Sequence, residues 1–489
     1  MQESSLIRKE IDKILSDKDK DVTYRYNLEI RVKEEFEGEF ILTDRDKKYM
    51  SEKELNEKIF TPMQVTNIDY VNDYEVSVMQ ELWTRVILAA GTWVKCLYPA
   101  RDYCEIVLTR KPVKTENFED KEDAEEEEFI YDALFHIDES NSLTGVDYTN
   151  ISKTDLDLHT LPVAVNIEML NKGVEKVRKV TVGAPYRNVK PEDFIKNALA
   201  HFTKDIEVDG EPAVKKISVV KAHNENKRDH ILIPQGMHLL DLPKYVQDYC
   251  GGVYNSNLNC YMADDEIYVY PIYQTDRFEE EEKNLTVYRV PPDLFPQFEK
   301  TYKLDEKALY VLGLSDALSV DRSIAKKLAD GNGIRYADSR KFLNKFVETK
   351  DNKAIAKRKK VNSEFKAEDL KDKDVVALSN SRINSNPFRE RSKLAVRNGG
   401  VYTFQWPNSK PELLYPGMPA RIFYEENEEV KEMRGVLLKE QTSIAMIGNS
   451  IADDRHGNTT TLTLFALPFE EEWWIQLLLK KLEKMDLVF

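Results

Sequence analysis

The chain has 489 residues, more than one hydrophobic core usually organises, so three or four domains are expected. Hydrophobic residues make up 41% of the chain and aromatic residues 10%, which excludes global disorder. The net charge of −16 argues against a nucleic-acid-binding module, because an acidic surface repels the phosphate backbone.

Cysteine usage and the absence of apolar segments indicate a protein made in a cytoplasm. Cys96, Cys104, Cys250 and Cys260 form no CxxC pair and have no zinc-finger spacing, so free core thiols are expected. The N-terminus lacks the apolar region of a signal peptide. No window of 18 uncharged apolar residues is present, so no membrane span is predicted.

The N-terminal third predicts a short helix followed by β-structure. Residues 1–17 are expected to form a helical arm, with a weak apolar stripe. Apolar residues then alternate without a break from Val22 to Val32, which is typical of a half-buried strand. Further short apolar runs near residues 40, 76, 94 and 106 predict more strands, and 18–180 is assigned to a first β-barrel domain.

An acidic segment at residues 113–128 interrupts this β-rich region. Like charges at this density repel each other and stay solvated, so a surface loop is the preferred interpretation. The alternative, a calcium loop, lacks the interleaved acidic spacing and the central glycine of an EF-hand.

Residues 181–300 predict an α/β domain. Pro191 and Pro243 each stand in the first turn of a predicted helix, where the missing N–H costs nothing. Strands are expected at 215–220 and 230–234, and a hairpin with a polar turn at 263–266. Residues 301–376 are assigned to a helical or irregular linking segment. Its basic run at 353–360 is interpreted as a solvated helix face, with contact to phosphates or an acidic partner as the alternative.

The C-terminal part predicts a second β domain at 377–467 and an amphipathic helix at 468–489. Exposed tryptophans are costly on a monomer and common at interfaces, so the helix is a candidate subunit contact. Packing of the helix against its own chain is the alternative. The candidate interface residues are Trp473, Trp474, Ile475, Leu478 and Leu479.

Signatures of catalysis are missing from the sequence. No phosphate-binding loop, dinucleotide-binding, nucleophile-elbow, zinc-protease or kinase motif occurs. Asp155, Asp157 and His159 are the nearest approach to a metal cluster, and a polar loop is the preferred interpretation. No catalytic residue, metal or cofactor is therefore predicted, and the chain is expected not to be an enzyme.

Two stretches carry a family resemblance. Residues 416–443, PGMPARIFYEENEEVKEMRGVLLKEQTS, resemble the C-terminal barrel of phage tail hub proteins, in which a Pro-Gly-Met-Pro turn leads into a strand. Residues 230–273 are similar to the strand–helix–hairpin domain of the same family, the baseplate hubs of contractile tails (gp27-like). Gly417 permits a tight turn, and Pro416 and Pro419 fix the backbone on either side of it.

The resemblance implies a mainly β fold with α+β character. Two similar antiparallel, tail-tube-like barrels would flank the α/β domain, followed by the C-terminal helix. A homotrimer would then present six barrels to a sixfold tail tube above and keep threefold symmetry for a central spike below, with baseplate wedge proteins around it.

A hub of this kind would be a structural virion protein at the tail baseplate, assembled in the host cytoplasm. DNA would pass through its channel without specific binding, in keeping with the net charge of −16. The alternatives are another β-rich tail component, such as a distal tail or tube-initiating protein, and a tail-associated peptidoglycan hydrolase. A tube protein needs only one barrel per subunit, which separates it from a hub.

Overall fold

The computed structural model describes most of the chain in nine ranges: 23–113, 126–136, 161–279, 283–292, 301–306, 308–315, 399–426, 429–446 and 456–468. It also gives the backbone of four short strands between residues 334 and 379. Several predicted features lie outside the described residues: the arm at 1–17, residues 114–125 of the acidic segment, Asp155, Asp157, His159, and the candidate interface residues Trp473, Trp474, Ile475, Leu478 and Leu479.

The N-terminal third forms one antiparallel sheet. Its spatial order is β2-β1-β5-β6-β7-β4-β3. The alternation that predicted the first strand has its physical basis here, because Leu28 and Ile30 are fully buried in the core of this sheet. The strands are β1 (Thr23–Val32), β2 (Ile59–Phe60), β3 (Gln64–Asp73), β4 (Glu81–Ala89), β5 (Cys104–Val113), β6 (Glu127–His136) and β7 (Pro162–Leu170).

Three of the apolar runs expected as strands in this region are not strands. Residues near 40 are irregular, and the run near 76 is a turn between β3 and β4. The run near 94 is helical, with an α-helical turn at Ala90–Thr92 continued by a π-helical turn at Trp93–Leu97. Trp93, Cys96 and Leu97 are all buried, and their spacing of three and four residues is the period of a helix rather than of a strand.

The remaining helices of this region are short. They are the α-helix Asp44–Lys48, the π-helical turn Lys53–Glu57 and the 3-10 turn Arg101–Tyr103. Thr43 caps the first of them in a capping box, since it accepts a hydrogen bond from the Asp46 N–H while the Asp46 carboxylate accepts from the Thr43 N–H. The Asp46 carboxylate is buried and pairs with Lys95 Nζ at 2.6 Å, which fixes the helix against the Trp93–Leu97 turn.

The middle of the chain combines helices and short sheets around a hydrophobic core of its own. Helices Lys172–Arg178, Pro191–Thr203 and Leu242–Tyr249 cover small sheets, the last being preceded by a 3-10 turn at Leu239–Asp241. The predicted hairpin is present. The strands are β8 (Thr181–Val189), β9 (Glu207–Val208), β10 (Glu211–Pro212), β11 (Lys216–Val219), β12 (Arg228–His238), β13 (Asn259–Ala263) and β14 (Glu266–Tyr270).

The last part of the chain contains a closed six-stranded barrel. The circle runs β15-β17-β22-β25-β24-β23 and returns to β15. A 3-10 turn at Pro411–Leu413 precedes β23. The strands are β15 (Asn284–Val290), β16 (Tyr302–Leu304), β17 (Ala308–Leu314), β18 (Ile334–Asp338), β19 (Val347–Lys350), β20 (Lys353–Ala356), β21 (Val375–Ser379), β22 (Gly400–Pro407), β23 (Pro419–Glu426), β24 (Glu429–Met446) and β25 (His456–Pro468).

This barrel differs from the prediction in two respects. It takes β15 and β17 from 284–314, which had been assigned to the middle domain and to a helical or irregular segment, so it starts well before residue 377. It is also not wholly antiparallel, because β15 pairs in parallel with both β17 and β23. β15 is buried along nearly its whole length, so it lacks the alternation that marks a half-buried strand.

The two β regions share a circular strand order. The six main strands of each region can be numbered 1 to 6 in chain order. In the first region they are β1, β3, β4, β5, β6 and β7, and in the second they are β15, β17, β22, β23, β24 and β25. Both regions then place their strands in the circular order 1-2-3-6-5-4. The pairings 2-3, 3-6, 6-5 and 5-4 are antiparallel in both. The first strand runs in opposite directions in the two, and the first region lacks the 1-2 pairing.

All four cysteines are free thiols. Cys96, Cys104 and Cys260 are buried, and Cys250 is partly exposed. Burial raises the pKa of Cys96 and Cys104 to about 12, so both thiols are protonated and unreactive at neutral pH. Among the helices that the structure describes, none has the length and apolarity needed to cross a bilayer.

Candidate functional site

The two β regions meet on one long strand, β24. Its first part, up to Val436, pairs with β23 of the closed barrel. Its second part, from Lys439 to Ala445, pairs with β3 of the first sheet. β25 pairs along the opposite edge through both parts. One strand therefore belongs both to the closed barrel and to the first sheet, and the N-terminal and C-terminal parts of the chain form a continuous sheet.

A bulge at Leu438 marks the point where β24 changes partner. The register against β25 shifts between Leu437 and Lys439. The backbone groups here keep partners: the Leu437 N–H donates to Met418 O at 2.9 Å, and Leu438 O accepts from the Tyr74 N–H at 2.8 Å. Backbone hydrogen bonds thus connect the bend both to the turn before β23 and to the end of β3.

The open side of the first sheet is filled by the strands of the second barrel. Ile444 of β24 belongs to the hydrophobic core of the first sheet and is 2% exposed. The ring of His456, at the start of β25, lies 5.9 Å from the ring of Tyr26 in β1. β24 and β25 therefore occupy the gap between β3 and β1.

The predicted turn Pro416–Pro419 lies directly before β23, beside this crossing point. Gly417 has a φ of +69°, a left-handed conformation that favours glycine. A Cβ at this position would meet the buried ring of Tyr270 in β14 at 2.3 Å, so the turn also packs against the middle domain. Arg277 Nη1 donates to the Gly417 carbonyl at 3.3 Å.

A buried polar network crosses the junction. Asn72 Nδ2 in β3 donates to Glu440 Oε1 in β24 at 2.6 Å, and Tyr261 in β13 donates its hydroxyl to Asn72 Oδ1 at 2.6 Å. Asn72 and Glu440 are 7% and 3% exposed, and Tyr261 is fully buried. One amide side chain thus connects the first sheet, the shared strand and the middle domain.

Glu440 is the perturbed acid of this network. Burial raises the pKa of its carboxyl to about 8, although hydrogen bonds from Asn72 and Tyr74 act in the opposite direction. Its Oε2 is buried and has no hydrogen-bond partner among the described residues. The carboxyl is accordingly mostly protonated at neutral pH.

A second set of hydrogen bonds attaches the middle domain to the turn after β3. Asn259 Nδ2 donates to the carbonyls of Tyr74 and Ser77, both at 2.9 Å, and the Tyr270 hydroxyl donates to Tyr74 O at 2.7 Å. Asn259 and Tyr270 are buried, so these bonds are shielded from water. The middle domain is therefore attached to the turn near residue 76, where the sequence had predicted a strand.

A cavity of about 310 Å³ opens at the same junction. The first sheet, the middle domain and the second barrel all contribute to its wall. Seven tyrosines line it: Tyr24, Tyr26, Tyr70, Tyr74, Tyr131, Tyr268 and Tyr415. Burial raises the pKa of the phenols of Tyr26, Tyr70 and Tyr131, so these hydroxyls stay neutral at physiological pH.

Arg110 is the basic residue in the wall of this cavity. Its guanidinium lies 4.8 Å from the ring of Tyr24 and 5.2 Å from the ring of Phe129. It pairs with Glu127 in the neighbouring strand and with Glu412 in the turn before β23. The Arg110–Glu412 pair joins the first sheet to the second barrel, and it neutralises the only cation of the described lining.

Sequence patterns identified the turn of this site but not its polar centre. Glu440 is one acidic residue among 87, and nothing in its neighbourhood separates it from a solvent-facing position on a strand. Asn72 is likewise inconspicuous. Within the described ranges, no group of three or more histidine, cysteine or acidic side chains is placed to hold a metal ion.

No protein-family model and no curated protein matches the chain. Solved structures do match. A Francisella PdpA–VgrG complex, half-lidded, is 10% identical with a TM-score of 0.35, over 94% of this chain and 60% of the other. A tail protein from Neisseria meningitidis MC58 is 8% identical with a TM-score of 0.36, over 90% of this chain and 96% of the other.

The E. coli c3393 protein also matches, at 10% identity and a TM-score of 0.33, over 83% of this chain and 74% of the other. It is described as a component of the type VI secretion system that is structurally similar to the T4 bacteriophage tail proteins gp27 and gp5. These titles name the class of protein that the sequence resembles. At such identities and TM-scores, the likenesses carry no argument about partners or activity.

Proposed function

We propose that this chain is a structural component of a contractile tail or tail-like machine, and specifically the trimeric hub that joins a sixfold tube to a threefold spike. The observation that carries the proposal is the repeated circular strand order within one chain. Three chains with two barrels each would supply six barrels to a sixfold partner.

The fusion of the barrels through β24 supports this role. A ring that transmits axial load needs its barrels at fixed relative positions, and a shared strand fixes them better than a linker would. The ladder from Lys439 to Ala445 and the buried Asn72–Glu440 hydrogen bond both cross between the barrels. A tube protein with one barrel per subunit would have no use for such a junction.

The proposal assigns the chain no catalytic activity and no cofactor. Its partners would be two further copies of itself, a tube or tube-initiating protein above, a spike below and surrounding baseplate proteins. The net charge of −16 would keep DNA, or another anionic cargo, moving through a central channel. The protein would act in the assembled particle, after assembly in the host cytoplasm.

The mass of the purified full-length protein in solution tests the proposal. Light scattering should give three times the chain mass of 56.9 kDa. Averaged electron micrographs of the same sample should give a ring with six similar densities and threefold symmetry. A monomer at all accessible concentrations, or a dimer, would contradict the hub assignment.

A further inference from the structure

The last four residues of β6 have a strand on one side only. β6 pairs with β5 as far as Asp132, and it pairs with β7 from Asp132 to His136. No described strand pairs with Ala133–His136 on the side of β5, and we call this side the open edge. Unpaired backbone N–H and C=O groups point to it, and such an edge is a template for another strand.

The internal repeat indicates what belongs at the open edge. β6 and β24 are both strand 5 of their regions, and both continue past the start of strand 4. In β24 the pairing with β23 ends at Val436. The following residues of β24, Lys439–Ala445, pair with β3, which is strand 2 of the other β region. The equivalent position beside β6 is empty among the described strands of the chain.

The open edge lacks the features that usually protect a strand from pairing, which are proline, lysine and bulges. Positions 133–136 hold Ala, Leu, Phe and His, and their ladder with β7 has no register shift. The two-stranded sheet of β8 and β12 also has free edges, but it contains Pro185 and Pro234 and a register shift between Ile233 and Met237. The edge of β6 is therefore suited to pairing.

The side chains beside the open edge suit burial against another protein. Leu134 is 45% exposed, and the ring of Trp83 lies 4.5 Å from the ring of His136 on the same face of the sheet. Glu168 stands between Leu134 and Trp83 in the ladder, and its Oε2 lies 3.1 Å from His136 Nε2. Apolar and aromatic side chains, with the neighbouring acid already partnered, are typical of the centre of an interface.

We propose that a second copy of this chain adds its β16 to the open edge of β6. β16 pairs with β17, the counterpart of β3, and no other described strand pairs with it. Its Leu304 is 58% exposed. The two edges are different surfaces, so the contact is heterologous and three such contacts can close a ring of three chains. This inference rests on the proposed hub function and names the subunit contact of that hub.

Sedimentation velocity of full-length variants tests the contact. Leu134→Lys and Leu304→Lys each place a charge at one of the two edges, so each should weaken association of the copies by at least about tenfold. Leu232→Lys is the matched control, because Leu232 is a 62% exposed leucine of β12, and this variant should associate as the unmodified protein does. A mixture of Leu134→Lys and Leu304→Lys should form a two-chain complex, since one contact between them carries neither substitution.

Hydrogen exchange resolved to single amides needs no variant, and it decides if the variants do not fold. In the assembled protein all four amides of Ala133–His136 should be protected, because β7 holds those on one side and the second copy holds the others. Rapid exchange of alternate amides in a protein that is still trimeric would overturn the contact and leave the hub assignment intact. Unchanged association of both edge variants would do the same. A monomer at all accessible concentrations would overturn both.

Discussion

The two β regions have the same circular strand order but differ in how they close. The second barrel is a complete circle of six strands from 284–468. The first has no pairing between β1 and β3, and it is completed by β24 and β25. Its stability must therefore depend on strands that arrive more than 250 residues later in the chain, whereas the second barrel needs no strand from the first.

The largest expected effect comes from breaking the shared strand itself. Thr442 pairs with Tyr70 in β3 and with Thr460 in β25. Thr442→Pro should lose more than the roughly 3 kcal/mol that bounds most single substitutions, because proline removes a ladder hydrogen bond from a central strand. Urea denaturation followed by circular dichroism measures the loss.

Thr442→Val is the matched control. It keeps the backbone ladder and loses only the buried hydroxyl contact with Thr460, at 2.7 Å between the two oxygens. Its expected cost is about 1 kcal/mol. Equal stabilities of the proline and valine variants would show that β24 does not couple the barrels.

The next effect tests whether the first region truly depends on the second. Ile444 lies on β24 but is buried in the core of the first sheet. Ile444→Ala should cost about 2–5 kcal/mol through the cavity it leaves. Hydrogen exchange should accelerate in β3 and β4 more than in β15 and β17, even though the substitution is in a strand of the second barrel.

Ile41→Ala provides the reference for this experiment, because Ile41 is 89% exposed and should change stability by less than about 0.5 kcal/mol. The prediction fails if the Ile444→Ala substitution accelerates exchange in β15 and β17 as much as, or more than, in β3 and β4. An equal acceleration would mean that the two β regions unfold as a single unit, and a larger one in β15 and β17 that the second barrel is the less stable.

The smallest effect is a pH dependence located at the junction. The pKa of Glu440 is raised from 4.5 to about 8 in the folded protein, so the unfolded chain ionises first as pH rises. The contribution of this group to the free energy of unfolding is fully present below about pH 4.5. It is lost as pH rises through about pH 8, by up to about 1.4 kcal/mol per pH unit.

Glu440→Gln has no titratable group at this position, so its free energy of unfolding should increase relative to that of the unmodified protein between about pH 4.5 and pH 8. At neutral pH the variant should be more stable by about 1–2 kcal/mol, a value that includes the cost of imperfect hydrogen bonding by the amide. Denaturation series at several pH values check this. Glu426→Gln should show no difference of this kind. If the free energies of unfolding of Glu440→Gln and the unmodified protein change with pH in parallel, the Glu440 carboxyl is solvated rather than buried.

Local patterns predicted those elements whose periodicity reflects a single buried face. The alternation of β1, the hairpin of β13 and β14, the helix that begins at Pro191, and the turn around Gly417 all follow from residues within one element. β15 and β17 were missed, because strands buried on both faces lose the alternation that identifies them.

The sequence by itself determined the mainly β character of the chain, the hairpin of β13 and β14 and the turn before β23, because each depends on propensity and spacing over a few residues. Only the tertiary structure decided that the barrels share β24, that Ile444 stabilises the first region, and that Asn72, Tyr261 and Glu440 meet in one buried network. These features join residues about 190 to 370 positions apart. Long-range strand pairing and burial fix them, and no local pattern records either.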